Sequence, residues 1–271
     1  MKLYIEKIEK ELIFYKIMDY PIPKDKELFY FEKKIEQKKN PSNFSRDEKN
    51  KYMDTYIKRI NKFSLYKSLP FVKEIFLCNS ISFNSLKRDS DIDLFIVTKS
   101  NSIRRARFFS ALFFKILGIK RSMKSKKQKF CLSFYVTEDY RNLYPIMLEK
   151  TDIYLAYRLA HLVPLYQEEV NNDFFYQKNK RLEALIPNHP QKYSININTL
   201  FTNTKFKKIT EFLLGIFNII EFLIKIIRKP ILSRKINRLP KKHIVISDKM
   251  LKFHDDIREE IHLLYKLSTR N

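Results

Sequence analysis

A chain of 271 residues with only two glycines, Gly118 and Gly215, has few ways to wrap its backbone tightly around a phosphate. Average usage of about 7% would put roughly nineteen glycines in a chain of this length. A Walker A loop, a dinucleotide G-x-G-x-x-G, a kinase glycine-rich loop and a G-x-S-x-G nucleophile elbow each need two or more glycines close together. None of these can be written here. Any phosphate chemistry this chain performs uses another cradle.

The two cysteines, Cys78 and Cys131, lie far apart in apolar runs, so no C-x-x-C metal or redox motif exists, and the five histidines form no H-E-x-x-H. The opening residues Met1-Lys2-Leu3-Tyr4-Ile5-Glu6-Lys7 carry charges where a secretory leader needs an apolar segment. With no disulfide framework, the expected location is the cytoplasm. Apolar residues at 44% and aromatics at 14% are ample for a packed core.

Lys and Arg total 54 against 30 acids, a formal net charge of +24. Lys, Ile, Asn, Phe and Tyr are abundant while Gly and Ala are poor, the bias of an AT-rich genome. The location of the charge therefore carries more weight than its total. Eleven bases and no acid fall between Lys99 and Lys129, and eight bases and no acid between Lys225 and Lys242. Both runs are candidate surfaces for nucleic acid or anionic lipid. The plainer alternative is a solvated basic face.

Hydrophobic periodicity predicts a first helix through Met18, broken at Asp19-Tyr20-Pro21-Ile22-Pro23, a second to about Gln37, and a third over Arg46–Leu65. Residues 1–66 are thus expected to form an N-terminal region that is helical or winged-helix-like. The texture then changes. Phe71–Cys78, Asp91–Thr98 and Phe130–Val136 read as strands, and Ile103–Leu117 as a helix closed by Gly118. Residues 67–145 form the α/β core with a small mixed sheet. Residues 146–271 read as helical: Leu148–Leu165 with Pro164 at its end, Phe174–Ile186, Thr210–Arg228, and Ser247–Leu267 capped by Ser247-Asp248. Charges leave Thr210–Arg228 with a longest uncharged stretch of nine residues, too short to span a bilayer that needs about 20 apolar residues. The fold class is α+β, and no transmembrane span is expected.

The informative stretch is Cys78-Asn79-Ser80 followed by Asp89-Ser90-Asp91-Ile92-Asp93. Residues two apart on a strand share a face, so Asp91 and Asp93 project together. Two carboxylates this close call for a cation between them, and oxygen ligands favour Mg²⁺ or Mn²⁺. Ser80, on the turn after the preceding strand, is placed to meet phosphates that such a metal also touches.

A strand ending in Gly-Ser, a short helix, and D-x-D opening the next strand form the signature of the DNA polymerase β-like nucleotidyltransferases, and residues 70–136 resemble that superfamily. Weaker likenesses to bacterial nucleotidyltransferase-domain proteins include Tyr20-Pro21-Ile22-Pro23, Asp152-Ile153-Tyr154-Leu155-Ala156, Leu185-Ile186-Pro187-Asn188 and Met250-Leu251-Lys252-Phe253-His254-Asp255. The resemblance implies an NTP such as ATP as donor, Asp91 and Asp93 as catalytic metal ligands, and an unidentified hydroxyl acceptor. It also implies phosphate contacts from Asn79, Ser80, Ser90 and Arg107. Two positions depart from the family pattern. Asn79 stands where the family has glycine; asparagine tolerates positive φ, so the turn survives with a side chain added. Ser133 occupies the mid-strand position where the family supplies a third carboxylate, and the nearest acids, Glu138 and Asp139, follow the strand's end. Losing that acid removes general-base assistance worth about 10²–10⁴-fold. The alternatives are therefore a catalytically impaired nucleotide-binding pseudoenzyme, or a basic nucleic-acid or membrane-surface module retaining the fold.

Overall fold

The structure is a computed structural model that describes residues 13–18, 20, 46–122, 125–148, 152–168, 179, 207–212, 244–253 and 258–269. Helix α1 (Arg46–Lys62) leads through a 3₁₀ turn (Ser64–Ser68) into strand β1 (Val72–Cys78). A single 3₁₀ turn at Asn79–Ile81 precedes β2 (Ile92–Thr98). Helix α2 (Ile103–Ile116) then carries the chain back to β3 (Phe130–Thr137), which runs parallel to β2. These elements follow the hydrophobic pattern closely. Gly118 closes α2 with φ +63°, a conformation that costs glycine nothing.

The C-terminal part departs from its helical expectation. Of the helix expected over Leu148–Leu165, the described residues are helical at Ile153–Ala160 (α3), held at its start by Asp152, whose Oδ1 accepts the Leu155 amide at 2.9 Å. Val163–Gln167, read as a helix end because of Pro164, is instead strand β4 on the sheet's edge. An edge strand tolerates a proline, which has no N–H to give, and the ladder shifts register beside it. Ser247-Asp248 does not cap a helix. It turns a short hairpin between β5 (Val245–Ile246) and β6 (Met250–Lys252), the Ser247 hydroxyl accepting the Met250 amide at 2.9 Å. Helix α4 spans Arg258–Thr269. Region 146–271 thus supplies three of six strands. The helices expected over Phe174–Ile186 and most of Thr210–Arg228, the second N-terminal helix, and the run Lys225–Lys242 lie outside the described residues. Among those described, no helix is long and apolar enough to cross a membrane.

The mixed sheet has the order β4-β1-β2-β3-β6-β5, antiparallel except for β2 with β3. One face, with Ile75, Leu77, Leu94, Ile96 and Tyr135, packs on Tyr56 and Ile60 of α1 and Ala106 and Phe114 of α2. The other face, with Phe76, Cys78, Phe95, Val97 and Phe134, packs on Leu155, Ala156 and Leu159 of α3, together with Phe14, Tyr15 and Phe83. The molecule is mixed α/β with its core on both sides of one sheet. Between Asp93↔Cys131 and Phe95↔Phe134 the ladder takes two steps on β2 and three on β3. This bulge puts two successive residues of β3 on the same side.

Glycine poverty is visible in the backbone. Phe71, Asn79, Asn84, Asn101 and Gln128 all hold positive φ, between +53° and +64°. Asparagine visits this region readily, but for most side chains it costs about 1–2 kcal/mol. Among the described residues the Gln128 backbone is held by two bonds, its amide donating to Ser90 O and its carbonyl accepting from Arg59 Nε. Gln128→Gly is therefore expected to stabilise the fold by about 0.5–1 kcal/mol, the relieved strain exceeding glycine's extra unfolded-state entropy. Urea denaturation checks this. A loss of stability would show that the Gln128 side chain makes contacts worth more than the strain.

Candidate metal centre

Three strand ends meet where β1 finishes and β2 and β3 begin. Cys78 pairs with Asp93 across β1–β2, and Asp93 pairs with Cys131 across β2–β3. Asp91 stands one step before β2, on the same face as Asp93. Ligand atoms of Asp91, Asp93 and Cys131 all lie within 4.8 Å of one another. Asp93 and Cys131 are buried, at 6% and 5% exposure, whereas Asp91 keeps partial access to solvent. The two aspartates thus stand side by side, as period-two alternation requires.

Asn79 adopts φ +61° and turns its side chain toward β2, where Nδ2 donates to Asp93 Oδ2 at 2.8 Å. Asn79 therefore positions a carboxylate. The turn it opens is closed by Ser80, whose carbonyl accepts the Ser85 amide at 2.8 Å and the Ser85 hydroxyl at 3.1 Å. Ser90 braces the approach to β2: its hydroxyl accepts the Lys87 amide at 2.9 Å and its carbonyl the Tyr56 hydroxyl at 2.7 Å. Burial, reinforced by Asp91 and Asp89, pushes the Tyr56 phenol up to about 12, so it remains a neutral donor.

The basic run resolves residue by residue. Arg121, one of the eleven bases of the run read as a candidate anion-binding surface, turns inward instead. Its Nη1 meets Asp91 Oδ2 at 2.6 Å and Cys131 Sγ at 3.3 Å. A tethered cation thus touches two of the three candidate ligands. Arg104 pairs with Asp248 at 2.6 Å, and Arg105 lies over the Phe71 ring. Arg107 stacks 3.6 Å from the Phe253 ring centroid and faces Tyr135, four residues along β3 from Cys131. Helix α2 opens after the far end of β2, where Arg104 and Arg105 make these contacts. Lys115, Lys126 and Lys127 are exposed.

The position facing the aspartates on β3 is Cys131; Ser133, the expected occupant, sits behind it with Oγ 3.3 Å from Cys131 Sγ. Glu138 and Asp139 are at the opposite end of β3, accepting from the Ser100 amide at 3.0 Å and the Ser100 hydroxyl at 2.9 Å. They hold the start of the β2–α2 connection, remote from Asp91. Sequence reasoning missed Cys131 and Arg121. The signal for Cys131 was the register of β3, which counting from Val136 disguises because of the bulge.

Burial sets the chemistry of the thiols. It pushes Cys78 up to about 12, with Asp93 adding to the rise and Arg158 opposing it by charge and hydrogen bond. Burial also lifts Cys131 well above the usual thiol range, with Asp93 next in effect. Both thiols are free of disulfides and protonated at neutral pH. Tyr20 is driven upward by burial and by Tyr154. His254, Asp255 and Asp256 lie outside the described residues. No protein-family model matches the chain, and no curated protein matches it.

Proposed function

We propose that this chain is a nucleotidyltransferase, moving NMP from an NTP, with ATP the first candidate, to a hydroxyl acceptor. The observation that carries the reading is the side-by-side placement of Asp91 and Asp93 beside the Asn79–Ser80 turn, in a β1–turn–β2–α2–β3 order that resembles the superfamily's core. Their carboxylates offer hard oxygen ligands on one face, suited to Mg²⁺ or Mn²⁺. Such a metal, when bound, neutralises triphosphate charge and lowers the pKa of a hydroxyl it holds. In the transfer, the acceptor oxygen bonds to the α-phosphorus, the bond to the bridging oxygen breaks, pyrophosphate leaves, and the acceptor proton passes to solvent.

The chain's own residues define the rest. Asn79 fixes the rotamer of Asp93 through its amide, and the Ser80–Ser85 bonds hold the turn rigid where phosphates would approach. Exposed Lys126 and Lys127 follow Arg121 and offer positive charge to a polyanionic acceptor.

The alternative is a nucleotide-binding protein with impaired chemistry. Two specific observations favour it: Cys131 stands where a third carboxylate would act, and Arg121 already pairs with Asp91. Titration calorimetry with a non-hydrolysable NTP tests binding in either case. Heat that requires a divalent cation and disappears in the Asp91→Asn, Asp93→Asn double variant is the expected result. Unchanged binding in EDTA would remove the metal from the reading altogether. Pyrophosphate release with a supplied acceptor then separates the active from the impaired form.

A further inference from the structure

We infer that Cys131 is a third metal ligand, making the Asp91–Asp93 site selective for a thiophilic divalent cation of the Zn²⁺ class over Mg²⁺. This rests on the reading that Asp91 and Asp93 hold a cation, and it goes further by naming which kind. Three ligand atoms lie within 4.8 Å of one another: two carboxylate oxygens and one sulfur. A thiolate favours Zn²⁺, Co²⁺ or Cd²⁺, whereas Mg²⁺ keeps to oxygen and holds its water tightly.

The surroundings agree with a built site. Asp93 and Cys131 are each more than nine-tenths buried and face each other across adjacent parallel strands. Asn79 clamps one Asp93 oxygen through Nδ2, the kind of outer contact that fixes a ligating carboxylate. The other atom of that amide, Oδ1, is shielded from solvent and accepts no hydrogen bond among the described residues. A cation beside Asp93 supplies the positive charge this acceptor lacks. Ser133 Oγ, 3.3 Å from Cys131 Sγ, is placed to donate to the sulfur once it becomes a thiolate. Cys78, paired with Asp93 across β1–β2, hydrogen-bonds Arg158 and is not one of the three clustered ligand atoms.

Arg121 Nη1 contacts both Asp91 and Cys131, so a positive charge already favours this point between oxygen and sulfur. An entering metal displaces the guanidinium from both. The Cys131 proton leaves to solvent, the sulfur–metal bond forms, and the net exchange is one metal ion in and one proton out.

Co²⁺ added to the full-length protein is the test, because a cobalt–thiolate bond gives a near-ultraviolet charge-transfer band that a carboxylate–cobalt bond lacks. The expected result is that band in the wild type, undiminished by excess Mg²⁺ and kept in Cys78→Ser. In Cys131→Ser the band should vanish, with Co²⁺ affinity falling at least tenfold, while circular dichroism stays unchanged. Co²⁺ binding without the band, or with full displacement by Mg²⁺, would overturn the thiophilic site and leave an oxygen-only Asp91–Asp93 site standing. A band lost in Cys78→Ser but kept in Cys131→Ser would also overturn it. Failure of the wild type to bind either Co²⁺ or Mg²⁺ would overturn both this inference and the metal reading beneath it.

Discussion

Arg141→Ala is expected to destabilise the fold by about 3–5 kcal/mol, the loss that follows from stranding a buried charge without its partner. The stranded group is Glu74, a carboxylate on β1 with 5% exposure, accepting from Arg141 Nη1 at 3.0 and 3.2 Å. Arg141 also donates Nε to the Glu138 carbonyl at 3.2 Å, so the substitution loosens the turn after β3 as well. Burial raises the Glu74 carboxyl above its ordinary value even though Arg141 pulls it down by charge and hydrogen bond. A carboxyl whose folded value is raised contributes stability below its unfolded value and loses it as pH rises through the folded value. Removing Arg141 raises that value further. The deficit of Arg141→Ala should therefore be smaller at about pH 5 than at about pH 8. Urea denaturation at the two pH values measures this. The Glu74→Leu, Arg141→Leu pair should recover most of the loss, because well-packed apolar groups often replace a buried ion pair without cost. A deficit that does not change with pH would show that the damage comes from lost packing of the arginine stem.

Arg121→Gln is expected to raise divalent-cation affinity about 10- to 100-fold while lowering the melting temperature of the metal-free protein. The guanidinium lies 2.6 Å from Asp91 and neutralises part of the charge of the pair. Two unit charges about 4 Å apart interact by about 4 kcal/mol at an effective dielectric of 20, and the partial exposure of both groups lowers that figure. The same interaction acts in opposite directions in the two states. Without metal, its loss leaves Asp91 and Asp93 repelling each other. With metal, its loss removes a competing cation. Differential scanning calorimetry with and without added cation reads both effects in one comparison. The variant should show the lower metal-free transition and the larger upward shift, since a ligand stabilises according to its concentration relative to Kd. A metal-induced shift no larger than that of the wild type would mean that Arg121 does not compete for the cation position.

The sequence made some of this plain and hid the rest for identifiable reasons. Strands β1, β2 and β3 were legible because each is a stretch of seven or eight residues in which apolar, β-favouring side chains predominate. Helix α2 was legible from its periodicity and from Gly118. Strand β4 was hidden by Pro164, which stops a helix and sits at an edge equally well, so proline alone does not choose between them. Strands β5 and β6 are two and three residues long, too short to show any period, and Ser247-Asp248 resembles a helix cap. Within the site, the placement of Asp91 and Asp93 follows from spacing alone. Cys131 does not, because the extra residue in β3 moves the facing position without leaving a mark in the sequence. Arg121 is one base among eleven in an acid-free run, and only the tertiary course of the chain shows which one turns inward. Arg107 stacks on Phe253, a partner 146 positions away that local pattern cannot supply.

The strand order also sets a schedule on the ribosome. The three central strands span residues 72–137, and helix α2 between them is local, so this part can pair early. The outer neighbour of β3 is β6, which begins at Met250. At about 5–20 residues per second, the nascent chain waits on the order of ten seconds between completing β3 and emitting that partner. Through this interval Phe134, Tyr135 and Val136 present an apolar, unpaired strand edge to solvent, the feature most open to pairing with the wrong chain. Translation speed across residues 138–249 and access to holdase chaperones thus govern the yield of folded protein. For the same reason, a chain released before the last hairpin is aggregation-prone even with every residue of the candidate site already made.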